Sequence, residues 1–307
     1  MTLPGQWDRQ LDALKGWLLS FLVRLLAFLP LATARTLGDL FAGLAWRRNS
    51  RAARTTHRNV RLCFPELTDA ERCALARQSL KQTSHLLAEA GMLFHWPRER
   101  WSGLLSVTGA EHIERARVAG RGVLILAPHF GNWECLALYL GEFSATALYS
   151  RPRIASLEQP LRAARERSGL RMVPIDRRGL RAIYEALARG GVTALLPDQV
   201  PARNSGVYAP FFGHPALTMT FAHRLIQRTR PSVLLGVARR VTSGFSVEFS
   251  VLPEEIYSDD PQASATAMNQ AIEDLVRTDP TQYQWEYKRF RRQPRGEPDP
   301  YRTDPTR

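Results

Sequence analysis

A series of short apolar runs, set apart by charged and helix-forming stretches, constrains this chain more than any other feature. The runs are GVLILAP (122–128), ATALYS (145–150), RMVPI (171–175), VTALLP (192–197), SVLLGVA (232–238) and FSVEFSVL (245–252). Short aliphatic and β-branched runs of this kind fit strands, several of them buried on both faces. Helical patterns at 157–168, 179–188 and 218–227 stand between several of them. Alternation of strand and helix closes as a mostly parallel sheet covered by helices, so the expected fold class is α/β. A longer helix is expected over 68–94, where Thr68 and Glu71 have the spacing of a capping box. A chain of 307 residues with 44% hydrophobic content can fill one large or two ordinary domains, which excludes wholesale disorder. No internal repeat or low-complexity stretch interrupts it.

The N-terminus reads differently. Residues 16–34, GWLLSFLVRLLAFLPLATA, are apolar apart from Arg24 and weakly polar Ser and Thr positions. As one helix they would extend about 28 Å, barely the depth of a bilayer core. Arg9, Gly16, Ser20 and Arg24 recur at spacings of seven and four, giving the narrow polar stripe of a segment lying in a membrane interface. An amphipathic helix packed on its own domain is the plainer reading, and Arg24 argues against a cleaved secretory signal. Pro30 should end or kink the helix. Arg35, Arg47, Arg48, Arg51, Arg54, Arg58 and Arg61 follow, in a chain of net charge +13. Such a cluster beside an apolar run is drawn to anionic lipid on the cytoplasmic side. A nucleic-acid partner is disfavoured, because basic repeats interleaved with aromatics and recognisable binding modules are absent. Cys63, Cys73 and Cys135 are too scattered for a disulfide framework or a CxxC zinc pair, which favours a reducing compartment. The domain reading is an N-terminal membrane-associated segment at 1–47, a main domain at 48–290 and a loose Pro/Arg-rich tail at 291–307, beginning near Arg289.

Chemistry is expected where the first strong strand stops, at ILAPHFGNWE (125–134). His129, Asn132 and Glu134 would stand at the carboxyl edge of the sheet, where open α/β folds place ligands. His suits proton abstraction near neutrality, and a carboxylate on its other ring nitrogen would fix the tautomer. A turn at Gly131 could bring Glu134 back to His129. An ordinary structural histidine is the competing reading. GxSxG, GxxxxGK[ST], GxGxxG and HExxH patterns are all missing, so no metal or cofactor is expected.

HFGNWE stands in order with LVRLLAFLPL, RAARERSG, LLPDQ, GVYAPFFG and the terminal QWEYKRFRR. Together these blocks resemble the late acyltransferases of lipid A biosynthesis, the lauroyl and myristoyl acyltransferase family within the HxxxxD/E glycerolipid acyltransferases. The wider pattern has Asp in its second position, where this chain has Glu134. The resemblance implies a glycerolipid-acyltransferase-like central sheet with an N-terminal membrane-associated helix. It also implies transfer of a fatty acyl chain from acyl carrier protein to a hydroxyl of a lipid A precursor, at the cytoplasmic face of the inner membrane, without a covalent acyl-enzyme. Matched by position, His129 would be the general base and Glu134 its orienting partner. Arg167, or Arg165 two residues earlier, would polarise the thioester carbonyl or neutralise an acceptor phosphate. Asp198 would position an Arg. Phe211 and Phe212 would line the acyl site, unless they are ordinary core aromatics. Asn132 would face substrate, and Arg151, Arg153, Arg165 and Arg167 would form a basic rim for the acidic carrier and the acceptor. Related enzymes acting on a mannosylated phosphatidylinositol or a lysophospholipid would share these motifs. A non-catalytic basic membrane-binding protein would not need the His129/Glu134 pair.

Overall fold

The structure, a computed structural model, describes residues 6–302. Helices α1 (Gln6–Leu26), α2 (Leu31–Arg47), α3 (Arg51–Cys63) and α4 (Asp69–His95) open the chain, followed by α5 (Arg98–Ser102), β1 (Leu105–Thr108) and α6 (Glu111–Val118). The central part runs β2 (Val123–Leu126), α7 (Trp133–Leu140), β3 (Thr146–Tyr149), α8 (Glu158–Glu166), β4 (Arg171–Pro174), α9 (Arg177–Ala188) and β5 (Val192–Leu195). It is completed by β6 (Gly206–Phe211), β7 (His214–Met219), α10 (Phe221–Thr229), β8 (Ser232–Val241), β9 (Gly244–Val251) and α11 (Pro261–Thr278).

The main sheet has the order β1-β9-β8-β2-β5-β3-β4, and every pairing in it is parallel except β8 with β9. β2 and β5 at its centre are buried along their whole length. Alternation of side chains divides β2 between two cores: Leu124 and Leu126 face Phe211, Trp285 and Phe290, whereas Val123 and Ile125 face Leu136, Ala194 and Phe245. Each strand anticipated from the sequence is present. Three more, β1, β6 and β7, were not anticipated: β1 is a mostly exposed edge strand, and β6 pairs with β7 as an antiparallel hairpin outside the sheet. That hairpin takes the start of the helix expected at 218–227, leaving α10 to begin at Phe221. α4 carries the expected capping box, with Thr68 and Glu71 each closing on the other's backbone amide.

The apolar run at 16–34 forms two helices. α1 ends at Leu26 and Pro30 caps α2, because proline has no amide hydrogen to continue the ladder. α1 is clamped to the main domain by its small and polar residues. Asp12 accepts hydrogen bonds from the amides of Ala155 and Ser156, and Gly16 lies so close to Ser156 that a Cβ would meet its hydroxyl oxygen at 2.1 Å. A Cβ on Gly91 of α4 would come within 2.6 Å of the Leu26 and Ala27 backbone, so α1 and α4 pack backbone to backbone there. The Arg9 side chain lies outside the described residues. On the opposite side Leu14, Trp17, Leu18, Phe21 and Leu25 are exposed, continued by Phe28, Leu40 and Phe41. α1 is therefore inverted relative to an ordinary surface helix. No helix among the described residues is long and apolar enough to cross a membrane.

The tail is not loose where it begins. Arg289 and Phe290 are buried, and Arg289 donates to the Leu217 carbonyl and the Thr218 hydroxyl. Tyr301 donates its hydroxyl hydrogen to Asn59 of α3, and Arg58 donates to the Pro300 carbonyl. These bonds hold the Pro/Arg-rich segment against α3 through the last described residues.

Candidate active site

The 129–134 turn is wedged between β8 and the segment after α11. Gly131 has φ +58°, and a Cβ there would lie 2.1 Å from the Ala238 carbonyl oxygen, so only glycine fits. Its amide donates to Gln282, and the Asn132 amide donates to Ala238 at 2.7 Å. The Asn132 side chain then accepts from the Cys135 amide and caps α7.

β2 pairs with β5 in a register that opposes Leu126 and Leu195, so His129 and Asp198 leave the sheet side by side. The Asp198 carboxylate grips His129 twice, through its backbone amide at 2.9 Å and its Nδ1 at 2.7 Å. With Nδ1–H committed to a carboxylate, Nε2 carries the ring's lone pair. Trp133 packs edge-on against the imidazole with ring centroids 4.9 Å apart. Burial pushes the Asp198 carboxyl up, but the charge and hydrogen bonds of His129 outweigh it, and the group sits below its ordinary value. Tyr283 lies beside Asp198; burial first, then the Asp198 charge, pushes that phenol well up.

The expected contact between His129 and Glu134 is not made. Glu134 lies in the first turn of α7 and directs both carboxylate oxygens at Arg165, which donates from Nε at 2.7 Å and Nη2 at 2.5 Å. Helix direction decides this: α7 starts at Trp133 and carries Glu134 toward α8. Asp198 thus takes the orienting position expected of Glu134, and Asp198 holds a histidine where an arginine was expected.

His129, Glu134, Arg165 and Gln199 form the polar edge of a cavity of about 640 Å³. Its deeper walls are Leu136 and Leu140 of α7, Ala147 of β3, Leu170, Met172 of β4 and Ala194 of β5. The cavity opens at the carboxyl end of the parallel strands and has the size and lining of a small-molecule site. Among the described residues no cluster of His, Cys, Asp and Glu has an arrangement that could hold a metal ion.

Several expected site residues lie elsewhere. Phe211 and Phe212 are buried in the opposite core against Phe64, Tyr283 and Trp285, because the β6–β7 turn folds them inward. Asn132 is buried and donates to Glu89 at 2.7 Å, so it holds the turn and does not face the cavity. Arg167 caps the end of α8 and donates to the Leu93 carbonyl of α4, away from the cavity lining; of the two, Arg165 reaches it, and Arg224 of α10 lines it as well. Arg151 and Arg153 are exposed on the segment after β3, next to the lining residue Ser150, and Arg151 is 3.4 Å from Glu158.

A second charged cluster lies behind the turn. Glu89 of α4 has no exposed side-chain surface and accepts from Arg35 and Arg240 at 2.8 Å each, besides Asn132. Sequence reasoning passed over Glu89, and also Gln199, Tyr283, Gln284 and Glu286 around His129. The blocks LLPDQ and QWEYKRFRR contained most of them without indicating what they touch.

Comparisons with known proteins agree on one family. Residues 6–292 match the family described as bacterial lipid A biosynthesis acyltransferase. The lipid A biosynthesis lauroyltransferase of Escherichia coli (strain K12) is 31% identical over 289 residues, 93% of this chain and 94% of that protein. The palmitoleoyltransferase of the same organism is 29% identical over 276 residues, covering 89% and 90%. Its myristoyltransferase is 25% identical over 272 residues, covering 85% and 81%.

Proposed function

The chain belongs to the bacterial lipid A biosynthesis acyltransferase family, and from that premise we propose that it moves a fatty acyl chain from acyl carrier protein to a hydroxyl of a lipid A precursor, at the cytoplasmic face of the inner membrane. The observation that carries the mechanism is a histidine with Nδ1 tied to a buried aspartate and Nε2 at the polar edge of an apolar cavity. The acyl chain lies among the aliphatic walls of that cavity, each buried methylene contributing about 0.8 kcal/mol. The acceptor hydroxyl gives its proton to His129 Nε2 as its oxygen attacks the thioester carbonyl. Asp198 stabilises the imidazolium that forms. Collapse of the tetrahedral intermediate breaks the carbon–sulfur bond, and the imidazolium returns the proton to the departing sulfur, leaving ester and thiol. In this reading Arg165, held at the cavity edge by Glu134, stabilises the developing oxyanion.

The inverted face of α1 supports an interfacial position. Trp17, Phe21 and Leu25 are exposed on one side while Arg24 and the basic residues of α2 and α3 lie nearby in sequence, the combination that binds anionic lipid. The test combines carrier-bound acyl donor and lipid A precursor in anionic vesicles with the purified protein. One added ester-linked chain is expected by mass spectrometry, lost in His129→Ala; transfer undiminished in a folded His129→Ala protein contradicts the mechanism. Trp17→Glu with Phe21→Glu should release the protein from the vesicles; retained binding contradicts the interfacial reading.

A further inference from the structure

The side chains beyond His129 form a hydrogen-bond chain with a defined polarity. The Glu286 carboxyl, pushed up by burial, accepts from the Thr83 hydroxyl at 3.1 Å and lies beside the Gln284 side chain. Gln284 presents its Oε1 to Gln199, whose Nε2 donates to it at 3.4 Å. Gln199 therefore points its NH2, not its oxygen, at His129 Nε2, at 3.1 Å. The Nδ1–H of the same ring is committed to Asp198. Nε2 has a single lone pair, and in this structure the Gln199 amide fills it.

We propose that Gln199 is a positioning residue that holds the place of the acceptor hydroxyl on His129 Nε2 and keeps water off the base until that hydroxyl displaces it. The proposal rests on the reading of His129 as general base. A general base facing a roomy cavity would otherwise bind water, and water is a competing nucleophile toward a thioester. In that side reaction water gives a proton to His129 as its oxygen bonds the acyl carbon, the carbon–sulfur bond breaks and the imidazolium returns the proton to the sulfur, which leaves as thiol, so the acyl chain is released as free acid. An amide on Nε2 cannot attack. Gln199 lines the cavity, so an incoming hydroxyl can reach the amide, and the displaced NH2 keeps Gln284 Oε1 as a partner.

Two measurements on full-length Gln199→Ala and Gln199→Met test this. The first follows carbethoxylation of His129 by diethyl pyrocarbonate without substrate, read by mass spectrometry of its peptide, with exposed His95 as internal control. Loss of the amide frees the lone pair in both variants, and modification should speed up at least about fivefold, the scale of one lost hydrogen bond. Wild-type rates at His129 in both variants overturn the proposal. The second follows free acid from a dodecanoyl pantetheine thioester in the absence of acceptor. Hydrolysis should rise about tenfold in Gln199→Ala, where water can enter, and stay near the wild-type rate in Gln199→Met, whose side chain fills the same space without a hydrogen bond. No rise in Gln199→Ala overturns the water-excluding role. A folded His129→Ala protein that still transfers acyl chains sinks the general-base reading instead, and leaves the carbethoxylation result standing.

Discussion

Two buried carboxylates hold the same turn from opposite sides, and they do different work. Asp198 grips His129 at the start of the turn, and Glu89 grips Asn132 at the end of it. Asp198 has one charged-capable partner whose far nitrogen stands at the edge of a cavity. Glu89 is sealed: Arg35 and Arg240 complete its coordination, and one guanidinium nitrogen of Arg240 is itself buried without a partner. Burial of a charged group therefore does not mark chemistry. What lies beyond the partner marks it, open space at His129 and packed protein at Asn132.

The sharpest way to break this contrast is to remove each partner in turn. Asp198→Asn keeps the shape but can hold His129 in the wrong tautomer, and both it and His129→Ala should lower acyl transfer about 10²–10⁴-fold with a smaller loss of stability than Glu89→Ala. An Asp198→Asn enzyme that loses stability but keeps full activity while folded would show that Asp198 is as structural as Glu89. Glu89→Ala should do the reverse. It leaves two guanidiniums against one another in the interior, and breaking a buried pair in this way costs about 3–5 kcal/mol, measurable as a lowered denaturant midpoint. A Glu89→Ala protein with normal stability and no activity would erase the distinction.

The third carboxylate of the turn, Glu134, sharpens the comparison at smaller scale. Glu134→Gln and Arg165→Met should each slow transfer about ten- to a hundredfold. The double variant should be no slower than the worse single one, because the two side chains act as one unit. Additive losses in a double-mutant cycle would mean that Glu134 acts on the reaction apart from Arg165. Acid provides the smallest effect. The Asp198 carboxyl lies below its ordinary value of 3.8 in the folded protein, so its stabilising contribution is complete above that value and is lost as pH falls through the folded value. The stability gap between wild type and Asp198→Asn should therefore be constant above about pH 5 and narrow below about pH 4. A gap that widens in acid would give the shift the opposite sign.

Much of the fold was legible because strand burial leaves a local trace. VLIL at β2 and VTAL at β5 are apolar on both faces, and the turn chemistry that follows them, Pro128 and Pro197, is written in adjacent residues. β6 and β7 left a weaker trace, because a hairpin outside the sheet alternates irregularly between exposed and buried positions. At the site, His129 was legible from its place after a buried strand. Its partner was not: Glu134 is five positions away and Asp198 is 69 positions away, and the sheet register chose the distant one. Phe211 and Phe212 carried the composition of an acyl site and the location of a core.

The sequence by itself determined the classes of element, the site of the turn and the residue types available there, because periodicity, proline and glycine act within a few residues of themselves. It also determined that α1 would be apolar on one side and small or polar on the other. Only the tertiary structure decided which side of α1 faces the protein, which carboxylate meets His129, and which aliphatic residues wall the cavity. Those outcomes depend on strand register and helix direction, which bring together residues whose separation along the chain carries no information about their separation in space.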